Sequence, residues 1–584
     1  MVLTDQQQRT DPVPDPGTEP EQKSGFRVRL GRIDLSFGLP LLIALLIAYL
    51  TLVPVGMMIW DSFHNLAGIA TVSHYKAILS NKTAWSLIGR SAEFAIGAAV
   101  FGTVVGAILA WLVERTNMPG RRLFYAAALA PLIIPGSLST FAWVLLASPR
   151  IGLLNTWFQG IFHVGHAPFN VYSLWGMMFV EGLHLSSLSF LLMSAALRSM
   201  NASLEEAAAS CGAGVFTLTR RITLPLLLPA IASTFLLGFV RAIEGFEVPA
   251  MLGQPAHVYV LASQIYLALN TFPIDMGVVG TYATLLFVIG AVGVIIYLRL
   301  LARNSFSTVT GKGFRPKVID LRGWRFGALA FALVYVLALF ALPTLVMIWS
   351  SFLPFYQAPS KAAFGVLSLE NYRELFHNSV AIASARNSLI LGLCAATIVV
   401  LLSAVASWIS VRTKIRGRQL LDVMSFVPIA IPGLVLGVAM IELYASLPIK
   451  IYGTIFVLII AFVIRFLPYG MRAASASIVQ IHPELEEAAS VSGAKWHQTF
   501  GRVLLPLLRP GLFAAWVYVF IVSMREMSSA IILASQSNIP LAVLIYNLYT
   551  NGSYTVLSAL AVCMIVGLTA LVLVFQKIGG KPTA

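Results

Sequence analysis

The stretch Leu204-Glu-Glu-Ala-Ala-Ala-Ser-Cys-Gly-Ala213 returns as Leu485-Glu-Glu-Ala-Ala-Ser-Val-Ser-Gly-Ala494, and each copy runs on to a Leu-Pro pair, Leu224-Pro225 and Leu505-Pro506. The offset is 281 throughout (204 to 485, 225 to 506). An internal repeat decides architecture before any local reading does, because each copy must be a similar folding unit. Earlier landmarks repeat at an offset of 297: His74-Tyr75-Lys76 with Asn371-Tyr372-Arg373, Arg115-Thr116 with Arg412-Thr413, and Pro131-Leu-Ile-Ile-Pro135-Gly136 with Pro428-Ile-Ala-Ile-Pro432-Gly433. The difference of 16 places an insertion in the first half, in the loop around Ser148 to Asn170.

Around these landmarks the chain is mostly apolar. Of 584 residues 58% are hydrophobic and 11% charged, with mean hydropathy +0.84. Soluble domains cover themselves with polar side chains, whereas a bilayer protein turns apolar residues outward as well as inward. Lipid is therefore the solvent. Apolar stretches of about 20 residues fall at 37–60, 86–113, 123–147, 171–195, 227–250 and 278–301, then at 326–350, 382–410, 420–445, 452–474, 511–534 and 555–576. The fold class predicted is an all-α integral membrane protein of about twelve spans in two six-helix repeats. Six spans separate equivalent points, an even number, so the repeats run parallel about an axis along the membrane normal, with a pathway between them.

Residues 1–25, rich in Pro, Asp, Glu and Gln, read as a disordered tail. The run from Leu35 to Trp60 is too long for a signal segment and is read as retained. The division is a tail 1–35, a first repeat 36–302 with its Glu-Ala-Ala loop at 199–226, a linker 303–325, and a second repeat 326–578 with its loop at 480–507. Arg and Lys collect in alternate loops: Arg27, Arg29 and Arg32; Arg115, Arg121 and Arg122; Arg198, Arg220 and Arg221; the linker from Arg299 to Arg325; Arg412, Lys414, Arg416 and Arg418; Lys495, Arg502 and Arg509; Lys577 and Lys581. Basic loops stay in the cytoplasm, so both termini and both Glu-Ala-Ala loops are expected there. This distribution explains the formal charge of +15 without a nucleic-acid partner. Cys211, Cys394 and Cys563 stand far apart without CxxC spacing, which excludes a disulfide framework or zinc site.

The loop spacing, Glu-Ala-Ala, three residues, Gly, nine residues, Ile or Val, one residue, Leu-Pro, resembles the EAA loop of binding-protein-dependent ABC importer permeases. Glu206, Ala207, Ala208 and Gly212 match in the first copy, and Glu487, Ala488, Ala489 and Gly493 in the second, with Val503 where Ile222 stands. Ser203 with Glu206 reads as a capping box, and Pro483 suits a first turn. Each loop should therefore open a short helix whose alanines let another protein approach closely, with a glycine where the chain turns away. The resemblance implies a type I ABC importer permease fold and makes these the helices that couple to two copies of an ATPase subunit. ATP and Mg then belong to those subunits, and no cofactor to this chain. Gly311-Lys312-Gly313 lacks the Ser or Thr and the first glycine of a phosphate loop.

Ionisable residues inside spans are costly and are functional candidates by default. Arg241, Glu244 and Glu247, at i, i+3 and i+6, sit near the outer end of the fifth predicted span, and Arg525-Glu526 in its counterpart. The clusters are expected to face each other across the pseudo-twofold axis. Glu244, Glu247 and Glu526 offer the hard oxygens that a trivalent or divalent cation prefers; the alternative is that Arg241 neutralises Glu244 within one helix and that Arg525 and Glu526 brace the interface. Glu181, His184 and Arg465 read as helix-end or packing groups. The fused layout, Glu244-Gly-Phe-Glu-Val-Pro-Ala250 and Arg525-Glu-Met-Ser-Ser-Ala530 resemble the ferric-iron permease branch of the family, over residues 37 to 577. That implies a periplasmic substrate-binding protein as partner and the bacterial inner membrane as location. Organophosphonate, thiamine and polyamine permeases share the layout. An ion-coupled secondary transporter shares twelve spans but gives no reason for the duplicated loops, and neither a nucleophile-base pair nor an HExxH motif supports an intramembrane enzyme.

Overall fold

The computed structural model describes residues 35–65, 68–132, 134–200, 203–303, 318–413, 415, 417–448 and 450–578. The tail to residue 34, the middle of the linker with Gly311-Lys312-Gly313, and Lys414, Arg416 and Lys581 lie outside them. The described residues are helical throughout, with two isolated β-bridges, His64 to Ala70 and Thr116 to Ile319. Among the described residues ten helices are long and apolar enough to cross a bilayer: Leu41–Ser62, Lys82–Arg115, Leu174–Ser199, Val215–Glu244 and Met276–Leu300, then Trp324–Ser351, Ser379–Arg412, Ile455–Gln480, Trp496–Arg525 and Tyr554–Phe575.

Two of the twelve predicted spans are broken rather than continuous. In place of 123–147 stand Arg121–Leu129, a short 3₁₀ turn and Gly136–Ala147; in place of 420–445 stand Arg418–Phe426, a 3₁₀ turn and Gly433–Ser446, bent by 107° at the break. The cause is the repeated Pro-Gly element. Ile431, before Pro432, is forced out of the helical region to φ −97° and ψ 110°, and Pro432 has no N–H with which to continue the ladder. We number the spans one to twelve with these as the third and ninth.

The fifth and eleventh spans begin earlier than the apolar run suggests, at Val215 and Trp496. Each contains one π-helical turn, Thr219–Thr223 or Phe500–Leu504, directly before its Leu-Pro pair. A proline inside a helix leaves the carbonyl four residues back without a donor, and a wider turn accommodates that defect. The insertion loop of the first half holds a helix, Leu153–Phe162. Buried Asn155 pins it, donating to the carbonyls of Ser148 (3.0 Å) and Phe169 (2.8 Å) and accepting from the Phe169 N–H (2.9 Å).

The two halves pack alike. The second span lies along the fourth and fifth, and the eighth along the tenth and eleventh, while the first span packs on the ninth and the seventh on the third, so each half lends its first helix to the other. Without a hydrophobic drive between helices in lipid, close approach of small residues holds such pairs. Gly97, Gly102 and Gly106 notch the second span. A Cβ on Gly106 would lie 2.6 Å from the Ser189 Cβ and 2.7 Å from the Ser186 carbonyl oxygen. Gly106→Leu is therefore expected to destabilise the protein by about 3 kcal/mol or more, read as a lower unfolding temperature in detergent.

Candidate functional site: two elbows and a central cavity

On one side of the bundle, the same for both halves, the fourth and fifth spans and the tenth and eleventh are joined by elbows. The first elbow contains the helix Ser203–Ser210 and the second Glu484–Val491. The carbonyl of Pro483 receives the backbone N–H groups of Glu486 (2.9 Å) and Glu487 (3.2 Å), which opens the second helix. The side chains of Ser203 and Glu206 lie outside the described ones. Both helices end the same way: Ala213 N–H donates to Ala208 O and Ala494 N–H to Ala489 O, each at 3.0 Å, around a glycine with left-handed backbone, Gly212 at φ 80° and Gly493 at φ 82°. Ala207, Gly212, Glu487, Ala488 and Gly493 are exposed, and a Cβ on either glycine would meet nothing within 4 Å.

Between the halves lies a cavity of about 330 Å³, lined from the first half by Glu181, His184, Arg241 and Glu247 and from the second by Arg465, Tyr518, Arg525 and Glu526. Gly102 of the second span abuts Gly182 of the fourth, which sets Glu181 and His184 about 20 Å of helix away from Arg115 at the elbow end. The fifth span's helix ends at Glu244, capped by Gly245 in extended conformation, and after Phe246 the chain turns helical again at Glu247, leading into the π turn Pro249–Gly253. Glu247 thus opens the segment beyond the break and does not continue the helical face of Arg241 and Glu244. Likewise Arg525 is the last residue of its helix and Glu526 caps it.

The pairing also differs from the expectation. Arg241 donates to the hydroxyl of Tyr469, across the half boundary, and no ion pair within 4.0 Å joins it to Glu244 among the described residues. Glu244 is buried, with Oε1 lacking a hydrogen-bond partner. Glu526 takes Arg465 as its partner, Nε to Oε2 at 2.9 Å, and its other oxygen accepts from the backbone N–H (3.1 Å) and hydroxyl (3.3 Å) of Ser529. Glu181 and His184 lie 3.8 Å apart. Among the described residues no three His, Cys, Asp or Glu side chains converge to hold a metal ion.

The repeated Pro-Gly element acquires a role here. A Cβ on Gly136 would strike the Glu247 carboxylate, and one on Gly433 would lie 2.9 Å from the Ser528 Cβ and 3.0 Å from the Arg465 guanidinium. Each break admits a polar group of the cavity where any other residue would exclude it. Gly136→Ala is expected to leave the protein folded, since only a side-chain end must move, and to slow uptake several-fold by displacing Glu247.

Arg465, His184 and Glu181, read from sequence as packing groups, therefore belong to the cavity. A signal was present: at the offset of 281, Arg465 is the counterpart of His184, Arg525 of Glu244 and Ser528 of Glu247. Equivalent positions carry ionisable or polar groups of different kind, so the halves match in backbone and differ in chemistry.

Residues 102–305 and 400–579 both match the family described as the binding-protein-dependent transport system inner membrane component. The chain is 28% identical over 490 residues to the ferric transport system permease protein FbpB of Actinobacillus pleuropneumoniae, covering 83% of this chain and 69% of that one. It is 29% identical over 511 residues to the putative ferric transport system permease protein FbpB 1 of Haemophilus influenzae, covering 85% and 77%. A bacterial ABC transporter involved in the import of the acidic polysaccharide alginate is similar at 19% identity and TM-score 0.36, over 45% of this chain and 99% of that one. With the family matched once in each half, the chain belongs to the binding-protein-dependent inner membrane components and is an ABC importer permease of fused, two-copy design.

Proposed function

We propose that this permease passes ferric iron from a periplasmic binding protein to the cytoplasm, powered by two copies of a separate ATPase subunit seated on the elbows. The observation that carries the powering step is the pair of exposed, alanine-faced elbows on one side of the bundle, with none of the described residues within 4 Å of a Cβ on Gly212 or Gly493. The Arg and Lys distribution makes that side cytoplasmic. ATP and Mg act in the partner subunits. Closure of those subunits on ATP pushes the elbows and turns the halves from inward-facing to outward-facing; hydrolysis resets them. This chain makes and breaks no covalent bond in that cycle.

The named relatives support iron as cargo, and Glu181, Glu247 and Glu526 supply hard oxygens in the cavity lining, with Glu244 buried at the end of the fifth span. One observation favours a second reading: Arg241, Arg465 and Arg525 all line the cavity, and guanidinium groups suit the oxygens of an organophosphonate.

Reconstitution tests both. The chain, purified with the ATPase encoded beside it, is placed in proteoliposomes with the matching binding protein, loaded with ferric ion or with a phosphonate. Ferric-loaded protein is expected to stimulate ATP hydrolysis and ferric uptake. Stimulation by the phosphonate form alone selects the second reading, and failure of the ATPase to co-purify removes the elbow assignment.

A further inference from the structure

Each elbow is joined by covalent chain to two spans, the fourth and fifth or the tenth and eleventh. The second and eighth spans reach it only through side chains. Arg115, the last residue of the second span and 1% exposed, places Nη1 3.4 Å from Oε2 of Glu205 in the elbow. Its Nη2 donates to the Leu197 carbonyl at 3.0 Å, which also accepts the N–H of Met200, the residue that caps the fourth span. The other oxygen of Glu205 accepts from the Thr223 hydroxyl at 2.7 Å, in the π turn of the fifth span. One guanidinium and one carboxylate thus tie the elbow to three spans.

The second half builds the same junction from different parts. Arg412, ending the eighth span, places Nε 2.9 Å from Oε1 of Glu486 and donates from Nη2 to the carbonyls of Ile478 (2.9 Å) and Ile481. The counterpart of Thr223 is Leu504, which has no hydroxyl. The indole N–H of Trp408 fills that place, donating to Oε2 of Glu486 at 3.2 Å, and the Trp408 ring stacks on Trp496 at the start of the eleventh span, 5.7 Å between centroids at 22°. Trp111, the counterpart of Trp408, has a buried Nε1 with no hydrogen-bond partner. The Arg-Glu pair is common to both junctions while its supporting donor changes. An ion pair shielded from water, nearly fully in the first half and partly in the second, is costly to desolvate and weak evidence for stability, so its presence in both halves calls for a role beyond stability.

We propose that Arg115–Glu205 and Arg412–Glu486 are the joints through which movement of each elbow reaches the second and eighth spans. Glu205 and Glu486 are positioning residues turned toward the membrane bundle, next to an exposed Glu487 turned away from it. The consequence extends to the cavity, because the second span interlocks with the fourth, which carries Glu181 and His184, and the eighth packs on the tenth, which carries Arg465. The inference rests on the elbow reading above.

The test uses the whole transporter, this chain with its ATPase and ferric-loaded binding protein in proteoliposomes, and reads ferric ion accumulated per ATP hydrolysed. Glu205→Gln with Glu486→Gln keeps an acceptor for Thr223 and Trp408 and removes only the charge. The ATPase should still co-purify in its usual ratio and ATP hydrolysis should continue, while ferric ion per ATP falls about tenfold. Arg115→Lys with Arg412→Lys, which keeps the charge and shortens the reach, should show a smaller loss in the same ratio and carries the test if the first variant folds poorly. Adding Arg115→Gln to Glu205→Gln should cost little more than either alone, because the two act as a unit. An unchanged ferric-to-ATP ratio in the double glutamine variant overturns the proposal. So does loss of the ATPase from that complex, which would make the glutamates docking contacts. If the unsubstituted chain retains no ATPase, both the elbow reading and this one fall, and the unsubstituted control alone reveals it.

Discussion

Arg465→Met is expected to abolish uptake and to lower stability by about 3–5 kcal/mol. Arg465 lies within the tenth span, and its pair with Glu526 is largely shielded, with side-chain exposures of 14% and 8%. Removing the guanidinium takes the ion-pair partner from a shielded carboxylate within a membrane-spanning bundle and leaves the hydrogen bonds from the Ser529 N–H and hydroxyl. The double variant Arg465→Met with Glu526→Leu separates bracing from passage. Replacing a buried pair by apolar residues is often neutral for stability, so the double variant should regain much of the unfolding temperature and still fail to transport. Unfolding in detergent and ferric uptake in proteoliposomes read the two quantities. An Arg465→Met protein that unfolds at the unsubstituted temperature would show that the pair does not brace the tenth span against the eleventh.

The second large effect is expected at the elbow glycines. Gly212→Val with Gly493→Val puts β-branched residues at φ 80° and φ 82°, at a cost of about 1–3 kcal/mol each. There is room for the new side chains, so the cost is conformational and the end of each elbow helix must reshape. Binding-protein-stimulated ATP hydrolysis should be lost in the double variant and reduced in each single one. Asn at the same two positions is the control, since Asn tolerates the left-handed region; the Asn protein should keep most of its stimulation. Equal loss with Asn and Val would mean that side-chain size in the docking groove, rather than backbone conformation, matters there.

Much of the architecture was legible without coordinates. Apolar runs of bilayer length mark where the chain crosses, because lipid leaves no alternative to helices that satisfy their own backbone. The two offsets, 281 and 297, reveal the duplication and locate the insertion that the structure fills with Leu153–Phe162. The Pro-Gly elements were read only as landmarks of the repeat, and the breaks they impose were missed, although a proline restricts its neighbour whatever surrounds it. Each of these readings depends on covalent geometry or on composition over a short window.

Tertiary structure alone decided the rest. Helices that are apolar on most faces carry no polar stripe from which to read which side meets a neighbour, so the choice of partners was hidden. Arg465 finds Glu526 across 61 residues and Arg241 finds Tyr469 across 228, although for Arg241 the sequence offered a nearer group of the right charge, Glu244. Where the fifth span ends depended on Gly245 and the packed segment after it. Local sequence determined the twofold set of membrane helices and the elbows; which charges meet between them was settled by helix packing, because a guanidinium buried from water pairs with whichever oxygen the surrounding helices bring within reach.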